Sequence, residues 1–327
     1  MDWDETEILI TGGTGSLGKA LTNKLLAMPH PPRGLRIYSR DELKQWQMKQ
    51  DLPAAPRTDV AFLIGDVRDG PRLKRAMEGV DVVFHAAAMK HVPACENDPE
   101  EACKTNVLGA QNVINAAVDC GVKRVLNVTT DKAVAPVNLY GATKLCAEKL
   151  FIHGNIYSKG LGLHRFPRFS CCRYGNVVGS RGSVAPLFQK QARETGRVQV
   201  TDVRMTRFWI TLPQVVAFLL RCVKRMEGGE IFVPKMRSMR VVDLVAAVAP
   251  GAEMEIIGIR PGEKLAECLI LAEESRDTTD EGEAYVIRPS REPARRNPDL
   301  DWSYTSDRNG PYLTVEELRE MLEEAPQ

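Results

Sequence analysis

Short apolar runs alternate with stretches of helical spacing through the first half of this chain. Glu7–Thr11 (EILIT), Leu35–Ser39, Asp59–Gly65 (DVAFLIG), Asp81–His85 (DVVFH) and Lys123–Thr129 (KRVLNVT) each read as a strand. In Ser16–Met28, Leu17, Leu21, Leu25 and Met28 recur on one face, which predicts a helix. Longer helical patterns cover about Pro99–Asp119 and Asn138–Ser158, and Arg168–Arg173 (RFSCCR) is a sixth strand. Strands alternating with helices predict βαβ units, hence an α/β fold with a doubly wound parallel sheet. After Asn176 the pattern loosens. Short strands at Val198–Thr201, Phe208–Thr211, Ile231–Val233 and Glu255–Gly258 mix with helices near Leu212–Met226 and Val241–Val248. The C-terminal stretch is charged and Pro-rich and reads as a surface wrap.

The length of 327 residues fits about two domains. The expected division is a dinucleotide domain of 1–175 plus about 210–245, and a smaller mixed α/β substrate domain of 176–209 plus about 246–327. Hydrophobic residues make up 43% and charged residues 27%, which excludes a mainly disordered chain. Lys+Arg is 44 against Asp+Glu 43, so bulk charge offers nothing to nucleic acid or a membrane surface. Apolar runs such as Val215–Leu220 are far shorter than the roughly 18 residues of a membrane span. The acidic start, MDWDETEILI, is unlike a secretion signal, and the expectation is a soluble cytoplasmic protein. The eight cysteines form no C-x-x-C and no zinc-like spacing with histidine, so buried, reduced thiols and no metal are expected.

The strongest local signal is Thr11-Gly12-Gly13-Thr14-Gly15-Ser16-Leu17-Gly18, between the first strand and first helix. It fits both G-x-G-x-x-G and T-G-x-x-G-x-x-G. Glycines there permit a tight turn and close approach of backbone to a pyrophosphate, and the helix N-terminus offers unpaired N–H groups. Strand, loop and helix in that order predict a Rossmann dinucleotide site. The second strand ends at Ser39-Arg40-Asp41. Ser39 and Arg40 favour a 2′-phosphate, hence NADP, while Asp41 keeps NAD open. Asp66 and Val67 follow the third strand, where an adenine edge lies, and Ala86 and Ala87 follow the fourth, where the cofactor passes.

Tyr140 and Lys144 form Y-x-x-x-K at a helix start, one turn apart on one face. A lysine cation about 4 Å away, at an effective dielectric near 20, offers a tyrosinate up to about 4 kcal/mol, or roughly 3 pKa units. Such a tyrosine can accept a proton from a sugar hydroxyl. Thr130, Asp131 and Lys132 follow the fifth strand, at the end where parallel-sheet sites lie. Adjacent Asp131 and Lys132 read as an acid/base pair. Burial lowers a lysine's pKa and a neighbouring carboxylate raises it, and the sequence leaves the balance open.

These features resemble the extended short-chain dehydrogenase/reductases. Longer strings are more specific: Gly65–Asp69 (GDVRD), His85–Pro93 (HAAAMKHVP), Thr130–Ala133 (TDKA), Arg173–Ser183 (RYGNVVGSRGS), Arg204–Ile210 (RMTRFWI) and Ile259–Lys264 (IRPGEK). Over about residues 6–290 the chain is similar to the UDP-N-acetylglucosamine 4,6-dehydratases, in particular the inverting type of the pseudaminic acid pathway. That resemblance implies a carbon–oxygen lyase using NADP, with Thr130 and Lys144 supporting Tyr140 as the O4 base. Lys132 then takes the C5 proton and Asp131 protonates the departing C6 hydroxyl. It also implies a bound UDP-sugar and a homo-oligomer, often a hexamer. Arg181, Arg204 and Arg260 with Glu263, beside Asn176 and Lys90, are the candidate phosphate and sugar contacts. Thr129 stands where serine is common in the resembled family, and Ala135 where asparagine is common. Retention at C5, C4 epimerisation, and a non-catalytic NADP-binding regulator remain the alternatives.

Overall fold

A computed structural model of the chain describes residues 2–52, 57–159, 167–179, 184–288 and 302–324. In chain order the first elements are β1 (Glu7–Thr11), α1 (Ser16–Leu26), β2 (Gly34–Ser39), α2 (Glu42–Asp51), β3 (Asp59–Ile64) and α3 (Gly70–Met77). Then come β4 (Val82–His85), α4 (Val92–Asn97), α5 (Pro99–Cys103), α6 (Gly109–Asp119), β5 (Arg124–Thr130), α7 (Leu139–Gly154), α8 (Ile156–Lys159) and β6 (Arg168–Tyr174). The remainder is β7 (Asn176–Val177), α9 (Val184–Thr195), β8 (Arg197–Val200), β9 (Thr206–Ile210), α10 (Leu212–Arg225), β10 (Ile231–Pro234) and β11 (Arg237–Arg240). It continues through α11 (Val241–Val248), β12 (Glu253–Ile256), β13 (Cys268–Ile270), α12 (Ala272–Ser275), β14 (Thr278–Asp280), β15 (Ala284–Ile287), β16 (Tyr304–Thr305) and α13 (Val315–Glu323).

The chain divides into two compact units. The first comprises Met1–Thr129, Thr143–Cys172 and Val216–Phe232. Its strands lie in the order β10-β6-β5-β4-β1-β2-β3. Ile10 of β1 pairs in parallel with Ile37 on one side and Phe84 on the other. This is the doubly wound order, which reverses direction between β1 and β4 and opens a crevice at their carboxyl ends. Ile8, Leu9, Ile10, Val83 and Phe84 are fully buried, as expected for strands covered on both faces.

Two helices absent from the sequence pattern, α2 and α3, are marked by their caps. Helix α2 buries only Gln45 and Met48 and starts instead from a cap, Asp41 accepting from the Lys44 N–H. Helix α3 likewise opens on Asp69, which accepts from the Arg72 N–H, with Pro71 in its first turn. The continuous helix expected over Pro99–Asp119 is interrupted by a π-type turn, Lys104–Leu108. There Asn106 donates to the Met89 carbonyl at 2.9 Å and to the Thr143 hydroxyl at 3.0 Å. Cys95, Cys171, Cys172 and Cys222 are buried thiols as expected, whereas Cys103 and Cys146 are exposed.

The second unit comprises Thr130–Ala142, Arg173–Val215 and Val233–Gln327. Segment Thr130–Ala142 therefore groups here, where the sequence boundary at 175 had put it with the dinucleotide domain. β9 lies between antiparallel β11 and parallel β7, and β12 pairs in parallel with β8. Antiparallel β13–β16 and β14–β15 give the C-terminal stretch more regular structure than a surface wrap. Phe188, Val198, Trp209, Met239, Leu244 and Leu318 belong to this unit's core. No described helix is long and apolar enough to cross a membrane.

Candidate active site

In the first unit the glycine loop sits at the crevice between β1 and β4. Gly12 has φ +66, and a Cβ there would lie 2.8 Å from the Ala87 nitrogen. The loop and the Ala86–Ala87 segment therefore meet backbone to backbone. At Gly18 a Cβ would run into the Gly13 carbonyl, so only glycine lets α1 start this close to the turn. Thr14 is buried, Gly15 precedes α1, and Ser16 and Leu17 form its first turn. The cradle is shaped for a group that approaches backbone rather than side chains, which fits a dinucleotide pyrophosphate.

At the end of β2 the side chains divide their duties. Ser39 is buried and its Oγ accepts from Gln45 Nε2 at 3.1 Å. The Asp41 carboxylate is engaged as the α2 cap and in an ion pair with Lys44. Arg40 extends outward, 58% exposed, with its guanidinium 3.5 Å from Asp66. Burial works to raise the Asp66 carboxyl, but bonds from the Arg68 backbone and guanidinium hold it below the usual carboxylate range. Val67 is buried beneath it.

The second unit carries the candidate acid/base residues Asp131 and Lys132. Immediately after β5, Asp131–Ala133 form a 3-10 turn. The Asp131 side chain is fully buried. Its Oδ1 accepts from Lys132 Nζ at 3.0 Å and from the Thr130 hydroxyl at 2.9 Å. Its Oδ2 is buried without a hydrogen bond among the described residues. Thr130 thus supports Asp131, a bond the sequence reading had not foreseen. Burial raises the proton affinity of Asp131, Lys132 opposes it, and Glu267 adds to it; the result is a raised pKa. For Lys132, burial favours the neutral amine, but the carboxylates of Asp131 and Glu267 outweigh it. The resting lysine is therefore a firmly held ammonium, which decides the balance that the sequence left open.

Helix α7 begins in the second unit and continues into the first. Asn138 caps it: Oδ1 accepts from the Gly141 N–H at 2.8 Å. A Cβ at Gly141 would collide with the Lys132 carbonyl, so this glycine lets the helix start lie against the catalytic turn. Tyr140, 9% exposed, and Lys144, 4% exposed, are one turn apart on α7. Lys144 Nζ donates to the Val128 carbonyl at 2.7 Å. Burial brings its pKa down to about 8, with the nearby Cys171 and Glu148 pulling the other way.

The substrate candidates are less gathered. Asn176 lies on β7 with a buried Oδ1 that makes no hydrogen bond among the described residues, in the same unit as Asp131. Arg204 is 68% exposed and grips Asp202 through two bonds of 3.0 and 2.7 Å. Arg260 is 55% exposed and 3.9 Å from Glu263. Lys90 is exposed just before α4. Arg181 lies outside the described residues.

Sequence reasoning missed the groups that bind the Ile259–Lys264 string to the catalytic turn. Asn138 Nδ2 donates to the Gly262 carbonyl at 2.8 Å, and Lys264 Nζ to the Val134 carbonyl at 2.6 Å. Glu267, 4% exposed, places Oε1 3.5 Å from Lys132 Nζ and 4.0 Å from Arg207 Nε. Arg207 and Lys264 stood within the quoted strings. Glu267 carried only the weak signal of a lone acid ahead of an apolar run. Ala135 has φ +42, the left-handed region that asparagine tolerates better than alanine. It is exposed, so an added amide finds water. Ala135→Asn should stabilise the protein by about 1 kcal/mol. A thermal unfolding midpoint that fails to rise rejects this reading of the strain.

The chain is similar to known proteins over nearly its whole length. A family model described as a polysaccharide biosynthesis protein matches residues 8–289. The chain is 46% identical over 335 residues to the UDP-N-acetylglucosamine 4,6-dehydratase (inverting) of Campylobacter jejuni, covering 98% of both. It is 40% identical over 287 residues to a UDP-glucose 4-epimerase of Rickettsia felis, covering 86% of this chain and 82% of that one. Among solved structures, Pen from Bacillus thuringiensis matches with a TM-score of 0.89 at 37% identity, covering 98% of each chain.

Proposed function

Because the chain belongs to the polysaccharide biosynthesis protein family, we propose that it is an NADP-dependent UDP-N-acetylglucosamine 4,6-dehydratase that inverts C5. The observation that carries the reading is the pair of buried Asp131 with partly buried Lys132, on a turn against which α7 starts, the helix that bears Tyr140. The 46% identity to the inverting dehydratase of Campylobacter jejuni supports it. An epimerase needs no acid for a C6 hydroxyl, and this pair supplies one. The 40% identity to the Rickettsia epimerase keeps C4 epimerisation as the second reading.

The glycine loop and Ala86–Ala87 would hold the pyrophosphate and nicotinamide ends of NADP, with Arg40 on the 2′-phosphate. When bound, NADP would supply the hydride acceptor for C4 and, once reduced, the donor for C6, with none consumed overall. Tyr140, with Lys144 one turn away, accepts the O4 proton. The C4 ketone acidifies the C5–H bond. The Asp131–Lys132 pair rests as carboxylate and ammonium joined by one hydrogen bond. Transfer of that proton from Lys132 to Asp131 gives an amine and a carboxylic acid. The amine removes the C5 proton, and the acid protonates the C6 oxygen as water leaves. A proton from solvent, delivered to the opposite face of C5, then gives the L-arabino 4-keto-6-deoxy sugar. Homo-oligomerisation belongs to this reading, and so does a place in a pseudaminic-acid-type pathway.

The test is proton NMR of the purified protein with UDP-N-acetylglucosamine in heavy water. A C6 methyl signal, deuterium at C5 and L-arabino couplings are expected. A methyl signal with D-xylo couplings would remove inversion. A C4-epimerised sugar without a methyl group would install the epimerase in its place.

A further inference from the structure

Glu267 has no part in the chemistry just described, yet it is the most enclosed charge beside it. It stands just before β13, and its own N–H is fixed by the Ser306 hydroxyl at 2.9 Å. Oε1 lies 3.5 Å from Lys132 Nζ. Oε2 is buried, makes no hydrogen bond among the described residues, and lies 3.8 Å from Lys264 Nζ. A carboxylate this enclosed is costly unless paired. Here it is paired by charge and not by geometry, with Lys132, Arg207 and Lys264 facing it at 3.5 to 4.0 Å. A charge held this way acts through its field on the neighbours it faces.

We propose that Glu267 is a positioning residue for the Asp131–Lys132 pair, a second counter-ion that keeps one transferable proton on the pair. The proposal rests on the dehydratase reading, because that reading needs the proton twice, first on Lys132 and then on Asp131. Lys132 has a carboxylate on two sides: Asp131 at 3.0 Å and Glu267 at 3.5 Å. A negative charge favours the proton wherever in the pair it resides. Arg207 on β9 and Lys264 oppose this, and the Thr130 hydroxyl bonds the Asp131 carboxylate directly. Without Glu267, Lys132 would keep Asp131 as its one carboxylate among the described residues, while Arg207 and Lys264 would lose the carboxylate they face. The pair would then surrender its proton to solvent at lower pH, and no acid would remain for the C6 hydroxyl.

Two measurements test this. The first needs no turnover: acylation of Lys132 by an amine reagent, followed by peptide mass spectrometry across pH. Glu267→Gln keeps the side chain's shape and should speed labelling about tenfold at mildly alkaline pH, a shift of about one pH unit. The second is the alkaline limb of the elimination step, followed as decay of reduced-nicotinamide absorbance after C4 oxidation so that Lys144 does not enter; it should move down by a similar amount in Glu267→Gln and return with Glu267→Asp. Lys264→Met removes an opposing cation and should move both readouts the other way. It decides the matter if Glu267→Gln does not fold. Unchanged labelling and an unmoved limb in a folded variant overturn the proposal. Shifted labelling in a wild-type protein that does not dehydrate the sugar nucleotide would keep the counter-ion and sink the dehydratase reading.

Discussion

Tyr140→Phe is expected to lower dehydration by about 10²–10⁴-fold, the range for loss of a general base. The phenyl ring keeps the buried volume of a residue only 9% exposed, so fold and substrate affinity should persist. What disappears is the hydroxyl that accepts the O4 proton, and with it the first step. The variant mixed with bound cofactor and UDP-N-acetylglucosamine should show no near-ultraviolet absorbance of reduced nicotinamide, even in a single turnover. Lys144 gives this step a pH dependence of known sign. Its ammonium assists Tyr140 below its pKa of about 8, and the assistance fades above it. Wild-type turnover by Tyr140→Phe would remove the tyrosine from the mechanism.

Lys132→Ala should stop the reaction later. C4 oxidation does not involve Lys132, so reduced-nicotinamide absorbance should appear and then persist. Methyl-bearing product should fall by about 10²–10⁴-fold. Deuterium exchange at C5 should fall with it, since the amine that removes that proton is gone. The fold should survive: burial already raises the proton affinity of Asp131, so it takes up a proton and stays neutral. Glu267 keeps Arg207 and Lys264 as partners. Product formed at the wild-type rate, or exchange at C5 that continues, would move the base elsewhere. The two variants together order the steps, because one blocks before the absorbance change and the other after it.

Much of the site was legible because its residues are close in sequence. The glycine loop, Tyr140 with Lys144, and Asp131 with Lys132 are each local strings whose spacing implies a shared turn or helix face. Arg204 was less legible. Its string suggested a phosphate contact, but the fold turns it outward onto Asp202, two residues away. Asp41 was ambiguous because a carboxylate after a strand serves equally as ribose ligand or helix cap. The hydrogen bond from Lys44 marks it as a cap. Helix α2 escaped the apolar pattern because it buries only Gln45 and Met48 and its start is defined by its cap; α3 is short, with its apolar face confined to Leu73, Ala76 and Met77.

The sequence by itself determined the parallel sheet, the glycine loop and the candidate chemical groups. Alternating apolar runs, obligatory glycines and i, i+4 spacing are properties of short segments, and short segments keep them wherever they are placed. Only the tertiary structure decided the protonation of those groups. Lys132 is held as an ammonium by Asp131 at 3.0 Å and, added to it, by Glu267, 135 positions along the chain, which approaches to 3.5 Å. Asn138 and Lys264 fasten the Ile259–Lys264 string to the catalytic turn by backbone carbonyls, which carry no side-chain signature. Electrostatic fields act through space, and no spacing along the chain encodes them.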